Sequence, residues 1–186
     1  MGSLSGFYSF FKKETGMTPA DYQGHRHAKG VSPMYHTFYQ SPIGTLAIRS
    51  TDEAVTEISL LTEEPKESPR ENQLTRDCKK ELAEYFQGKR KTFTVPLAPK
   101  GTVFQQKVWK AVREIPYGCT QTYGEIAEKA GSPKAYRAVG MANHQNPILI
   151  LTPCHRVIGS NGSLTGYAAG IDNKRYLLEL EKKNKE

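Results

Sequence analysis

The fold is decided by what the chain does over Asn146-Pro147-Ile148-Leu149-Ile150-Leu151-Thr152-Pro153-Cys154-His155-Arg156-Val157-Ile158-Gly159. The apolar run Pro147 to Leu151 has the length of one strand and falls far short of the ~20 residues of a membrane span. Pro153 fixes φ and has no N–H for a central ladder, so a strand must break there. Adjacent residues on an extended strand point to opposite faces. His155 therefore reaches the Cys154 sulfur only if the chain bends at this point. That matters because cysteine attacks as thiolate, and near pH 7 a free thiol is mostly protonated. It needs a base or a positive charge nearby, and His155 and Arg156 follow directly. A histidine base usually needs its other nitrogen held by a third group. The C-terminal helix, with Glu179 and Glu181, is expected to supply it. Other cysteine chemistries fit less well. A phosphatase loop wants an arginine six positions after the cysteine, where this chain has Ser160. Protease flanking signatures are absent, and a metal site needs more ligands than Cys154 and His155. The plain alternative is that Cys154 is buried filler, as lone cysteines more often are.

Upstream, Thr122 caps a short helix running to Ala130. Gly131-Ser132-Pro133 turns the chain, and Lys134 to Asn143 reads as a second helix. Two short helices across a tight glycine-containing turn make a helix-turn-helix pattern, although an ordinary αα-hairpin is commoner. Ahead of it, Thr102 is a candidate N-cap, and Phe104, Val108, Ala111, Val112 and Ile115 form a helical face that Pro116-Tyr117-Gly118 stops. Cys119 lies in the loop that follows, without a basic neighbour, and is given no role. From Lys129 to Ile171 there is no Asp or Glu, while Lys129, Lys134, Arg137 and Arg156 are present. In a chain of net charge +7, this stretch is read as a surface facing phosphates, since acids there would repel them. A chance gap in a basic protein is the bland alternative.

Toward the N-terminus, Tyr35–Tyr39 and Thr45–Ser50 read as a hairpin about Ser41-Pro42-Ile43-Gly44, and Ala54–Leu60 as a third strand. Residues 70–87 read as a helix with Leu74, Cys78, Leu82, Tyr85 and Phe86 on one stripe, which makes Cys78 a core residue. The first thirty residues differ. Gly6 to Tyr22 resembles the closing segment of AraC-type helix-turn-helix regulators, too short a match for a working DNA-binding region, and is expected to be an appendage. His25-Arg26-His27 through Ser32-Pro33 reads as a linker, and two histidines without a third ligand are weak evidence for metal. The expected divisions are 1–33, 34–98 and 99–186. The chain has 186 residues, 37% hydrophobic and 24% charged, enough for a soluble globular protein with a real core. Its three scattered cysteines suggest no disulfide framework and fit a reducing compartment. The N-terminus lacks the apolar core of a secretory signal, so a cytoplasmic location is the expected default.

The central stretch Asn146–Gly159 closely resembles the signature of the O6-alkylguanine-DNA alkyltransferases. Thr122-Tyr123-Gly124-Glu125-Ile126-Ala127 is similar to that family's first motif helix, and Lys134-Ala135-Tyr136-Arg137-Ala138-Val139-Gly140 to its recognition helix. Gly166-Tyr167-Ala168-Ala169-Gly170 resembles its binding loop. Lys174, Leu177, Leu178 and Glu181 match its last helix. The likeness covers roughly residues 34–184. It implies an α+β fold: a small mixed α/β, ribonuclease H-like domain followed by a mainly helical, winged-helix-like domain carrying the helix-turn-helix.

The resemblance also implies roles. Cys154 would accept the alkyl group. His155 would act as its base through a water, oriented by Glu181, while Asn146 would brace the bend. Tyr123 would help turn the nucleotide out and protonate the leaving guanine. Arg137 would fill the gap left by the flipped base, and the small residues Ala135, Ala138, Gly140 and Ala142 would let the helix approach a narrow groove. Tyr167, Ala168 and the backbone of Cys154 and Val157 would form the base pocket. The implied partner is double-stranded DNA containing O6-alkylguanine, met by a monomer with no cofactor, metal or membrane. Ala168 and Ala169 depart from the serine or glycine of some members, which bears on tolerance of bulky adducts. Two alternatives remain at this level: an alkyltransferase-like protein that flags lesions without repair, although those replace the nucleophile, and a DNA-binding regulator.

Overall fold

A computed structural model describes residues 34–185. The AraC-like run and the His25/His27 pair lie outside the described residues. An antiparallel sheet comes first, with β1 (Tyr35–Ser41), β2 (Gly44–Ser50) and β3 (Val55–Leu60) in the order β1-β2-β3. Ser41 pairs with Gly44 across the two-residue turn Pro42-Ile43, and Gly44 sits at φ +116°, a conformation open to glycine. Leu46 and Ile48 on the central strand are fully buried, and Ile48 faces Ile58 across the pair.

Helix α1 (Gln73–Phe86) packs on this sheet. It begins at a reciprocal cap in which Asn72 accepts from the Thr75 N–H and the Thr75 hydroxyl from the Asn72 N–H. The helix expected from residue 70 therefore starts later, because Arg70 is taken by backbone hydrogen bonds to His36 in both directions. Cys78, Leu82, Tyr85 and Phe86 are buried as the stripe predicts, while Leu74 is half-buried.

The rest is mainly helical. Helix α2 (Val103–Arg113) starts at Thr102 with a capping box to Gln105. Strand β4 (Gln121–Thr122) leads into α3 (Tyr123–Lys129), capped by Thr122 with Glu125. Helix α4 (Tyr136–His144) starts two residues later than read from sequence: Ala135 offers no capping side chain, and Ser132 to Ala135 closes as a turn. Trp109 on α2 donates its indole N–H to the Ala142 carbonyl at 2.8 Å, locking α4 onto α2. Strand β5 (Val157–Ile158) runs parallel to β4, and α5 (Ile171–Lys183) closes the chain.

The strand expected over Pro147–Leu151 does not form. Only Ile148 bridges β3: Ile58 N–H donates to the Pro147 carbonyl at 2.9 Å and Leu149 N–H to the Ile58 carbonyl at 3.0 Å. The chain then turns on itself, with Thr152 N–H donating to the Ile148 carbonyl at 3.0 Å. Ile150 holds φ +70°, a costly state for a β-branched residue. Ile148, Leu149, Ile150 and Leu151 are all buried in one core shared by sheet and helices. An apolar run surrounded by core on all sides needs no sheet, provided its backbone groups are paired locally. No helix among the described residues is long and apolar enough to cross a membrane.

Candidate active site

The compact turn Ile148–Thr152 delivers Cys154 into a short 3₁₀ turn, Cys154–Arg156. This is the departure from a strand that the sequence calls for at Pro153. Cys154, His155 and Arg156 are all buried. Asn146 braces the approach with its whole amide. Its Oδ1 accepts from Ile148 N–H at 3.0 Å, and its Nδ2 donates to the Thr152 carbonyl at 2.8 Å and to Cys154 Sγ at 3.1 Å.

Behind the cysteine lies a buried polar cluster. His155 Nε2 is 2.7 Å from Glu181 Oε1, which places the ring proton on Nε2. Nδ1 is then free to accept, and it has no partner among the described residues. Arg156 clamps the same carboxylate from two nitrogens, Nε to Oε2 and Nη2 to Oε1, both at 2.9 Å, and its Nη1 donates to the Ile115 carbonyl at 2.7 Å. Gly118 N–H reaches Oε2 at 3.0 Å and the Tyr85 hydroxyl reaches Oε1 at 2.7 Å. Glu181 is fully buried. Burial alone would raise its pKa, but hydrogen bonds and charge from His155 and Arg156 outweigh this and hold it well below the carboxylate range. Glu179 is exposed and takes no part.

The electrostatics define a resting thiol. Burial pushes Cys154 up to about 11, against smaller opposing effects of the Asn146 hydrogen bond and the Lys174 charge. Burial likewise lowers His155, against the pull of Glu181. A protonated thiol is thus followed by a neutral imidazole whose Nε2 is fixed by a carboxylate, groups chemically able to serve as nucleophile and base.

Around this centre, Tyr167 is buried, its ring 6.4 Å from that of His155 in an edge-on arrangement. Tyr123 donates its hydroxyl to the Thr165 carbonyl at 2.8 Å, and burial raises its pKa, so at neutral pH it is a phenol with a proton to give. Gly140 of α4 lies beside the Tyr123 ring, where an added Cβ would stand 3.9 Å from Cε1. Val157 is buried and Ala168 exposed. On α4, Arg137 and Ala138 face solvent, Ala135 is half-buried, and Ala142 belongs to the core. The Arg137 guanidinium rests 5.9 Å from the Tyr136 ring. Arg156 corrects the reading of the acid-free stretch. It is buried against Glu181 and cannot face phosphates, so the exposed basic groups there are Lys129, Lys134 and Arg137.

Three partners escaped the sequence reading. Lys174, almost fully buried, donates to the Val157 carbonyl at 2.6 Å and the Thr165 carbonyl at 2.9 Å, and burial lowers its pKa to about 8. The sequence places it in the last-helix motif and marks no task for it. The sequence marks Arg156 as a positive charge near Cys154 and within the basic stretch, with no sign of its clamp on Glu181. Tyr85 reads as core from its stripe; its hydroxyl on that apolar stripe is the signal for a further role, since a buried tyrosine usually finds a partner. Among the described residues there is no group of three or more His, Cys, Asp or Glu that could hold a metal ion.

The same two-part organisation is found in known proteins. Residues 34–99 match the model of the 6-O-methylguanine DNA methyltransferase ribonuclease-like domain, and residues 103–183 that of its DNA-binding domain. A methylated-DNA–protein-cysteine methyltransferase of Methanosarcina acetivorans is 48% identical over 153 residues, covering 80% of this chain and 98% of its own. The constitutive methylated-DNA–protein-cysteine methyltransferase of Bacillus subtilis is 45% identical, over 80% of this chain and 95% of its own. The crystal structure of Mycobacterium tuberculosis O6-methylguanine methyltransferase superposes with a TM-score of 0.74 at 44% identity, covering 82% of this chain and 94% of that one. The M. tuberculosis OGT crystallised in complex with DNA gives the same score at 45% identity, over 80% and 93% of the two chains. With both domain models matched in order and relatives near half identity across their whole length, this chain belongs to the 6-O-methylguanine DNA methyltransferase family.

Proposed function

We propose that this protein repairs DNA by direct reversal, moving the alkyl group of O6-alkylguanine irreversibly onto Cys154, once per molecule. The observation that carries the reading is the buried His155–Glu181 pair directly after Cys154 in the same 3₁₀ turn, with Asn146 holding the Cys154 sulfur. A water between Sγ and His155 Nδ1 completes the relay. As Sγ attacks the alkyl carbon, the thiol proton passes to Nδ1, the S–C bond forms and the C–O6 bond breaks. The departing guanine takes a proton at the base, for which Tyr123 is the nearby donor. Its hydroxyl must leave the Thr165 carbonyl to serve. Glu181 stabilises the imidazolium, which then gives its proton to water while the Tyr123 phenolate takes one back, so the thiol proton is in effect the one the guanine keeps. Nothing breaks the new S–C bond to regenerate the Cys154 thiol, so turnover stops after one event.

A guanine O6 inside a duplex is out of reach, so the nucleotide has to leave the stack, at a cost of a few kcal/mol. Helix α4 is assigned that work, with Arg137 entering the duplex and Ala135, Ala138 and Gly140 allowing close approach to the minor groove. Tyr167, Ala168 and the backbone about Val157 receive the base. Lys174 holds the Val157 carbonyl and so shapes that pocket. The reading includes no cofactor, a monomeric protein, and parts at 1–33, 34–98 and 99–186. A cytoplasmic location completes it, which the three free cysteines favour.

Intact mass after incubation with duplex DNA containing O6-methylguanine tests the proposal. One added methyl per chain is expected, mapped to Cys154 and lost in Cys154→Ser, with no further turnover. Continuous turnover, or an unchanged mass alongside intact binding, overturns it; the latter outcome marks a lesion-flagging protein instead.

A further inference from the structure

Tyr85 belongs to α1, the helix of the ribonuclease-like segment, yet its hydroxyl ends 2.7 Å from Glu181 Oε1 and 3.5 Å from His155 Nε2. We propose that Tyr85 is a positioning residue of the alkyl-transfer step, through which the N-terminal sheet domain sets how much charge Glu181 offers to His155. The inference rests on the transfer reading above.

Packing alone does not explain the hydroxyl. Tyr85 is fully buried, with the rings of Phe86, Phe93 and Tyr117 at 5.4, 5.5 and 6.0 Å. Phenylalanine fits an aromatic cluster of this kind without a buried O–H to satisfy. The O–H is spent on a carboxylate that already has four other donor contacts: His155 Nε2, two from Arg156 and the Gly118 N–H. Oε1 is shared between Tyr85, His155 and Arg156 Nη2, so each donor weakens the acceptor seen by the others. The charged and titratable groups facing this centre are Tyr85 from α1, Tyr117 from the turn after α2, Cys154 and Arg156 from the 3₁₀ turn, Tyr167 from the pocket loop, and Lys174 from α5. Of the three tyrosines, only Tyr85 donates to the carboxylate. The hydroxyls of Tyr117 and Tyr167 are buried without partners among the described residues.

Removing the Tyr85 hydroxyl leaves more negative charge on Oε1 for the His155 Nε2–H. The imidazolium is then favoured, and His155 takes its proton at a higher pH, where it no longer serves as a base. The test is single-turnover methyl uptake from duplex DNA containing O6-methylguanine, by rapid quench from about pH 5 to pH 9. It uses the full chain, Tyr85→Phe and Tyr117→Phe. The acid limb of the Tyr85→Phe profile is expected to move up by about half a unit or more, with the rate on the alkaline plateau within about threefold of wild type. Tyr117→Phe, the same change in the same aromatic cluster, is expected to leave the limb in place. NMR titration of the His155 ring in both variants reads the same shift without relying on rate. An unmoved limb in Tyr85→Phe, or an equal movement in both variants, overturns the assignment. Failure of the wild-type chain to gain a methyl overturns the transfer reading, and this inference with it.

Discussion

Cys154 and His155 are both neutral at rest because both are buried, and Glu181 is charged because Arg156 and His155 surround it. These states have a measurable consequence for stability. In the unfolded chain His155 protonates near its ordinary value of ~6.5. In the fold that value is lowered, so the unfolded state binds the proton first as pH falls. The His155 contribution is therefore present above pH ~6.5 and is lost as pH drops toward its folded value. Glu181, also depressed, adds a second loss below its unfolded value of ~4.3. The thermal midpoint is expected to be flat just above neutrality and to decline from about pH 6.5 downward, with the upper part of the decline absent in His155→Gln. A midpoint that stays level between pH 7 and 5 would show that His155 is not held neutral. Asn146 and Glu181 each meet several donors or acceptors, and in a dry interior such paired groups hold their geometry.

At the scale of elements, α4 has one face fixed in the core and one exposed. Its inner face is fixed by Val139 and Ala142 and by the Trp109 indole on the Ala142 carbonyl. Its outer face carries Tyr136, Arg137, Ala138 and Met141, all exposed. Ala138→Glu changes a solvent-facing side chain, so the fold should tolerate it within about 0.5 kcal/mol. Duplex binding is expected to weaken at least about tenfold, because the larger anionic side chain both holds the helix off the groove and repels phosphate. Fluorescence anisotropy with a lesion-bearing duplex reads this directly. Unchanged affinity would move the DNA-reading role to another element. The helix pair α3 and α4 was legible from Thr122, the Gly131-Ser132-Pro133 turn and the apolar spacing. The late start of α4 was not, since nothing in Lys134-Ala135 marks a cap.

Across the whole molecule, the sheet domain and the helical part share one core, and the polar centre sits where they meet. Basic groups free to face DNA in the acid-free stretch number three once Arg156 is set aside: Lys129, Lys134 and Arg137. Neutralising about three phosphates predicts that log affinity falls with log salt concentration at a slope of about −2 to −3. Titrations at several salt concentrations measure it. A slope near zero would sink the phosphate-facing surface, and a much steeper one would require basic groups from elsewhere in the chain.

Most local elements and the chemistry at stake are legible in the order of the residues. Period-two strands, capping residues and a 3.6-residue stripe are short-range signals. The Pro-Cys-His-Arg run marks a candidate nucleophile and a candidate base in sequence, with the bend left for the fold to supply. Tertiary structure alone decided the rest. Pro147–Leu151 reads as a strand but folds as a buried turn, because surrounding core and a single bridge to β3 replace the ladder. Arg156 reads as surface charge but is an internal clamp, because a buried carboxylate needs counter-charge. Tyr85 and Lys174 reach the site from helices separated from Cys154 in sequence, and no spacing rule connects them. Burial then set the resting protonation of Cys154 and His155, a property that belongs to the folded surroundings and to neither side chain alone.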